Sequence, residues 1–470
     1  MSGTLWWAPR AWVQGAWAAD VLLRADASGH WAAITPNAPA PAQAERLPGP
    51  VLPGLVNAHS HAFQRAFAGM AERRTSAQDD FWSWRDRMYG VALRITPEQL
   101  RAVAEQLYSE LLAGGYTQVC EFHYLHHAPD GQPYANPLAM AQALAQAAQA
   151  TGIGLTLLPV LYERAGFAQD TLRADQRRFA TTVQGVLALR DGVRAWRQPR
   201  LSAGVAVHSL RAARPASLHA LAARLADDEG PIHIHIAEQT GEVDDCLAAT
   251  GLRPIEWLCS ELPLDVRWQL VHATHALPSE IEAVAASGAG VVICPSTEAN
   301  LGDGLFDLPR WLAAGVPLSL GSDSHVTRQW PEELRWLEYG QRLHLRQRNV
   351  AALPGLGDGA TAARLFERML AAGGAAAGCP QWGLMVGARA DFLVLDMQAT
   401  GLLGVPATHT LDALVFASSA SAATGAPAFS QVWVAGQRVV AGGRHVHAVA
   451  TAAAYTAAMQ AVWPEDSGIN

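Results

Sequence analysis

A (β/α)8 barrel of the TIM type, with a small β-sandwich domain assembled from both ends of the chain, is the fold this sequence predicts. Three observations point to it. Between residues 51 and 321, eight apolar β-rich runs alternate with helical patterns, as parallel strands do when crossover helices join them. Strand-like pieces lie at both ends, and neither end is long enough to form a domain alone. Half of the 470 residues are hydrophobic, enough for one large core and an accessory one.

In chain order, the first fifty residues carry short strands at 4–7 and 20–24, broken by the Pro/Ala-rich stretch 36–41. The eight runs follow at 51–57, 116–122, 154–161, 201–207, 231–236, 268–272, 289–294 and 316–321. One crossover helix shows the local logic. Thr96 can cap it, Pro97 fits the first turn, Glu98 favours the dipole, and Gly114-Gly115 ends it just before the next run. Strands return at 390–396 and 431–440, the second hinged at Ala435-Gly436. The expected division is therefore 1–50 and 383–470 for the small domain and tail, around a metal-dependent catalytic barrel of 51–382.

Composition removes several classes of function. The net charge is −8 and no basic run is interleaved with aromatics, so a nucleic-acid partner is not expected. No apolar run reaches membrane-spanning length, and the N-terminus lacks the features of a signal peptide. Five widely spaced cysteines without a CxxC pair fit reduced thiols, and the expected location is cytoplasmic. All 34 basic residues are arginine; there is no lysine.

Active sites of such barrels sit at the carboxyl ends of the strands. His59-Ser60-His61 follows the first run, His235 and then Glu238 the fifth, His272 the sixth and Asp323 the eighth. Residues two apart on an extended chain point the same way, so His59 and His61 can grip one ion, with His235 and Asp323 completing the site. Three neutral imidazoles and a carboxylate suit one Zn2+ per subunit, with iron also chemically admissible. A lone histidine at a strand end is more often a hydrogen-bonded structural residue. Four such signals at the correct ends of an independently inferred barrel favour the metal. Spacing alone leaves Glu238 open as ligand or as proton shuttle.

The motifs PGLVNAHSH (53–61), HIHIAE (233–238), VHATH (271–275) and GSDSH (321–325) together resemble the amidohydrolase superfamily, and the resemblance covers nearly the whole chain. GLMVGARADFLVLD (383–396) resembles that superfamily's return from the barrel into its small β domain. Binuclear members bridge two metals with a carboxylated lysine at the fourth strand, which this chain cannot supply. The resemblance thus implies a mononuclear site, in a subgroup dominated by deaminases whose glutamate at the position of Glu238 handles protons. With acid–base logic it also implies that Asp323 accepts a proton from the attacking water and that His272 holds or polarises the resulting hydroxide.

The stretches FQRAFAGMAERR (63–74), DDFWSWRDRMYG (79–90), EFHYLHH (121–127), VHSLRA (207–212) and HIHIAEQTGEVDDC (233–246) resemble the formimidoylglutamate deiminase family more closely than the nucleobase deaminases. This implies a small dicarboxylate substrate, hydrolysis of a formimino C–N bond in histidine degradation, and a homodimer. Arginine forks bind carboxylates bidentately, so Arg85 and Arg211 are assigned to the two carboxylates, the alternative being surface salt bridges. Gln64, Tyr124 and His208 can reach the same mouth, as substrate contacts or as support for the metal ligands. His233 is expected one layer deeper, and His325 to orient Asp323 or a neighbour. Trp82 and Trp84 are expected to form a lid or to pack a loop. Among Glu121, His123, His126 and His127 nothing singles out a ligand. Rival readings are a nucleobase or triazine hydrolase of the same superfamily, a metal-free binding barrel, and a binuclear hydrolase with Cys120 or Glu121 in the bridging place.

Overall fold

The computed structural model describes residues 3–74, 79–355, 359–418 and 427–464. Eight parallel staves close a barrel: Leu55–Ser60, Tyr116–His123, Gly154–Leu161, Leu201–Ala203 continuing as Val205–Val207, Ile232–Ile236, Trp268–His272, Gly290–Ile293 and Leu318–Leu320. The ring shuts where Leu320 pairs with Asn57. Nearly every stave residue is buried on both faces, which is why these segments read as continuous apolar runs.

The eight expected runs are the eight staves, but two of them break at a glycine. In the first, Val51–Pro53 pairs with Phe392–Leu395 and belongs to the terminal sheet, and only Leu55–Ser60 enters the barrel. The chain changes sheets at Gly54, where a Cβ would lie 2.4 Å from Thr117 Oγ1, so glycine alone allows the second stave to pass this close. The fourth breaks at Gly204, where a Cβ would sit 2.2 Å from the Pro231 carbonyl oxygen.

The helix Pro97–Ala113 forms as its sequence dictates. Thr96 Oγ1 accepts from Gln99 N at 3.3 Å, and Gln99 Oε1 accepts from Thr96 N at 2.9 Å, a reciprocal capping box. Pro97 occupies the first turn, and Gly114 and Gly115 end the helix, Gly115 at φ +90°.

The terminal sheet has nine strands, drawn from residues 5–53 and 392–445. Phe392–Leu395 sits between Val51–Pro53 and Phe429–Val434 and so joins the two chain ends. The sheet curls over its own aromatic core. Trp6 meets Phe392 at 5.2 Å, Trp433 at 5.3 Å and Trp31 at 6.0 Å between ring centroids. The hairpin after Phe429–Val434 turns at Ala435 (φ 49°) and Gly436 (φ 72°), both left-handed as a tight two-residue turn requires. Beyond this sheet, the helix Ala448–Val462 crosses to the barrel and packs on Pro97–Ala113. Its Tyr455 hydroxyl accepts from Arg65 Nη1 at 2.8 Å, and Trp463 Nε1 donates to the Ala66 carbonyl at 2.9 Å, bracing the loop after the first stave. Among the described residues no helix is long and apolar enough to cross a membrane.

Candidate metal centre and substrate cavity

His59 and His61 leave the end of the first stave on the same side. The stave faces strand eight across Gly321, where a Cβ would lie 2.6 Å from His59 Cβ; this close approach brings Asp323 to the histidines. Asp323 adopts a left-handed φ of 45°, and its backbone N donates to the His59 carbonyl at 3.0 Å. At the ends of the fifth and sixth staves Ala237 (φ 50°) and His272 (φ 70°) are also left-handed. Such unfavourable backbone at non-glycine residues concentrates at functional sites.

His59 Nε2 lies 3.1 Å from His61 Nε2 and 2.9 Å from His235 Nε2, and Asp323 Oδ1 lies 3.5 and 3.4 Å from His59 and His61 Nε2. The tautomers follow from the other ring atoms. His61 Nδ1 donates to the Phe122 carbonyl and His235 Nδ1 to the His208 carbonyl, both at 2.9 Å, so both Nε2 atoms carry lone pairs. Burial holds all three imidazoles neutral, with His59 lowered to about 3. Burial opposes the ionisation of Asp323, but its hydrogen bond with His59 and the charge on His272 outweigh it and keep its carboxylate ionised. Two lone pairs, the His59 Nε2 and an anion meet at one cluster. Their four close spacings, 2.9 to 3.5 Å, lie near the roughly 3.3 Å edge of a tetrahedron with bonds of about 2.0–2.1 Å, so the donor types fit a divalent cation such as zinc.

Beside this cluster, His272 Nε2 faces Glu238 Oε1 at 3.6 Å and Asp323 Oδ2 at 3.7 Å, while its Nδ1 lies 3.3 Å from Glu298 Oε1. Burial disfavours the charged ring, but Glu238, Glu298 and Asp323 prevail and push His272 up to about 10. Burial pushes Glu238 up to about 7, against the pull of His272 and Arg211.

A pocket adjoins the cluster, and its wall includes His61, His235, Glu238, His272 and Asp323 together with Arg85 and Arg211. The two guanidiniums share the Trp82 indole, Arg85 at 4.7 Å and Arg211 at 5.3 Å from its centroid. Arg211 is 7% exposed and has no ion pair among the described residues. Arg85 has only a long contact of 3.6 Å to the half-exposed Asp86. Arg85 Nε and Arg211 Nη1 are buried without acceptors, so two charged forks stand ready for anions. Burial alone would lower Arg211, but Glu242 and Glu238 overcome it. Gln64 Nε2 donates to the Tyr124 hydroxyl at 3.0 Å, Gln64 Oε1 is unpartnered, and both side chains line the cavity with His208. All eleven residues singled out from the sequence are thus brought together, ten on the cavity wall and His59 behind it.

The remaining expectations sort themselves by geometry. His233 lies deeper in the barrel, its Nε2 paired with the Ala376 carbonyl at 2.8 Å. His325 serves a neighbour of Asp323: its Nε2 donates to the His61 carbonyl and its Nδ1 accepts from Ser322 Oγ, both at 3.0 Å. Cys120 Sγ points to the Ala376 carbonyl, and Glu121 is engaged by Ser60 Oγ, Ala62 N and Tyr108, so neither stands in a bridging place. His123 packs on His126, whose Nε2 faces the Val160 carbonyl, and His127 Nε2 bonds the Ala180 carbonyl. Trp84 lines the cavity, whereas Trp82 packs its ring against both arginines. Sequence reasoning missed Tyr89, Tyr162, Phe179 and Leu301 on the cavity wall, and Glu298 and Asp303 behind His272 and Glu238. Tyr162 had a signal, since it directly follows the third stave.

The profile of the amidohydrolase family matches residues 51–444. The chain is 47% identical over 442 residues, 93% of itself and 95% of the relative, to the formimidoylglutamate deiminase of Pseudomonas aeruginosa. It is 27% identical over 358 residues to a 5-methylthioadenosine/S-adenosylhomocysteine deaminase of Natronomonas pharaonis, 75% of this chain and 74% of that one. A crystal structure of an amidohydrolase from Brucella melitensis superposes with a TM-score of 0.90 at 41% identity, covering 98% of this chain and 99% of the other. Barrel, donor cluster and sequence agree, and the chain belongs to the amidohydrolase family.

Proposed function

We propose that this protein hydrolyses N-formimino-L-glutamate to N-formyl-L-glutamate and ammonia, a step of histidine degradation. The observation that carries this reading is the pocket itself, whose wall joins Arg85 and Arg211, each with a buried nitrogen that has no acceptor, to the histidine–carboxylate cluster. The arginines suit a dianionic substrate and the cluster suits hydrolytic chemistry, and the 47% identical relative named for this deimination supports the choice.

His59, His61, His235 and Asp323 would hold one Zn2+, in preference to iron. Bound there, the ion lowers the pKa of water to near neutrality. Arg85 and Arg211 bind the α- and γ-carboxylates as bidentate forks, which fixes the formimino carbon at the cluster. Gln64, Tyr124 and His208 position the body of the substrate. Asp323 accepts a proton from the attacking water, and imidazolium His272 stabilises the developing oxygen charge. Glu238 protonates the departing nitrogen. A pKa near neutrality suits it to both giving and taking that proton. We also place the enzyme in the cytoplasm, in keeping with its five free cysteines, and propose that it works as a homodimer.

A nucleobase or triazine substrate is the second reading, favoured only by the aromatic wall of Phe81, Trp84, Tyr89 and Tyr162. Ammonia release from N-formimino-L-glutamate by zinc-loaded protein, run beside guanine, adenosine, cytosine and N-formimino-L-aspartate, separates the two. Release from the glutamate derivative alone is expected; turnover of a nucleobase instead would overturn the substrate.

A further inference from the structure

Asp303 lies two residues beyond the short helix Pro295–Leu301 and is 4% exposed. Its backbone is pinned at both polar atoms: N donates to the Glu298 carbonyl at 3.0 Å, and O accepts from His275 Nε2 at 2.8 Å. Its two carboxyl oxygens differ. Oδ1 accepts from Gln239 Nε2, whereas Oδ2 is buried with no hydrogen-bond partner. One carboxyl oxygen of Asp303, one of Glu238 and one ring nitrogen of His272 lie within 4.8 Å of one another.

Around His272 stand Glu238, Asp303, Glu298 and Asp323, and around Glu238 stand His272, Arg211, Asp323, Glu242 and Asp303. The acids outnumber the cations, and a buried carboxylate oxygen without a donor is costly. Two buried carboxyls grouped around one imidazole oppose each other's ionisation, and one proton held by the pair relieves them. Burial displaces both carboxyls upward, in keeping with that arrangement.

We propose that Asp303 and Glu238 form a carboxyl pair that holds one proton between them, Asp303 being a positioning residue whose pinned carboxyl keeps Glu238 supplied with the proton it delivers. The proposal rests on the deiminase reading for its reaction. There an amidinium and a water give a formamide, ammonia and one proton. Glu238 gives its proton to the departing nitrogen, which takes the C–N electron pair with it. The proton that the adding oxygen sheds as the carbonyl forms restores the pair.

The test uses two readouts. In zinc-free, 13C-glutamate-labelled protein, the Glu238 carboxyl resonance is identified by its loss in Glu238→Gln and titrated in wild type, Asp303→Asn and Asp303→Glu. In zinc-loaded protein, kcat and KM are measured against pH. Asp303→Asn is expected to lower the Glu238 midpoint by at least one pH unit, a tenfold weaker proton affinity. It should carry the alkaline limb of kcat down with it, leaving KM and zinc content unchanged, and Asp303→Glu should restore both. An unmoved midpoint, or a loss of activity uniform across pH with a raised KM, overturns the proposal. So does a second metal ion per chain retained by wild type and lost in Asp303→Asn. Should Asp303→Asn fail to fold, Asp303→Ser carries the same comparison. Wild type that titrates as described but releases no ammonia from N-formimino-L-glutamate would sink the substrate reading and leave the pair standing.

Discussion

His59 and His235 hold their Nε2 atoms 2.9 Å apart, and the His235 nitrogen has no hydrogen to offer because its Nδ1 is spent on the His208 carbonyl. With His61 in the same state, a single proton on His59 could serve only one of two facing lone pairs. A cation relieves all of them. Zinc binding is therefore expected to raise the melting temperature, by about 2.7 kcal/mol of stability at a hundredfold excess over Kd. His59→Ala and His235→Ala should abolish both the shift and the activity, as measured by calorimetry and metal analysis. Equal melting curves with and without zinc would refute the metal centre.

Arg85→Met and Arg211→Met should each weaken kcat/KM for a dicarboxylate substrate by about tenfold to a hundredfold, the value of a charge-assisted hydrogen-bond pair. The Lys variants should not restore it, because an ammonium lacks the planar fork. Steady-state kinetics check this. Loss confined to one of the two would assign the other to the stack on Trp82 alone.

Glu238 has a raised pKa of about 7, so its proton-donating form is full below that pH and is lost as pH rises through it. Activity limited by protonation of the leaving nitrogen should accordingly fall on the alkaline side of about 7. Glu238→Gln should lose that limb and about 10²–10⁴ in kcat. A pH–rate profile with the limb intact in the variant would assign it to another group.

Arg178 is 0% exposed and has no carboxylate within ion-pair distance among the described residues. Its guanidinium instead donates to the carbonyls of Ala92, of Ile95 at 2.9 Å and of His127 at 2.7 Å. Ala92 ends Phe81–Ala92, the helix that carries Trp82, Trp84 and Arg85, and Ile95 follows three residues on. Arg178→Met should cost about 3 kcal/mol by leaving buried carbonyls without donors, and should raise KM by loosening that helix. Chemical denaturation and kinetics together test it; a stable variant with unchanged KM would contradict the clamp.

The barrel was legible because its staves are apolar on both faces and bounded by breakers, and the donor cluster because strand ends impose a fixed spacing on His59, His61, His235 and Asp323. The change of sheet at Gly54 was hidden, since 51–57 is one apolar run whichever sheet takes each half. Asp303 and Glu298 were hidden for another reason. They follow the seventh stave at positions whose direction depends on the path of Pro295–Leu301, which no periodicity in the sequence specifies. His325 shows the limit from the other side: its type and place suited a ligand's support, but only the fold showed that the atom it holds is the His61 carbonyl.

Because Phe392–Leu395 fills the gap between Val51–Pro53 and Phe429–Val434, the small sheet cannot be completed until the whole barrel has been synthesised. In topological terms the barrel is an insert within the smaller unit. Leu5–Val13 and its partners must wait through more than three hundred residues of translation for their missing neighbour. Closure of the sheet ties the two flanks of the barrel to each other like a clasp.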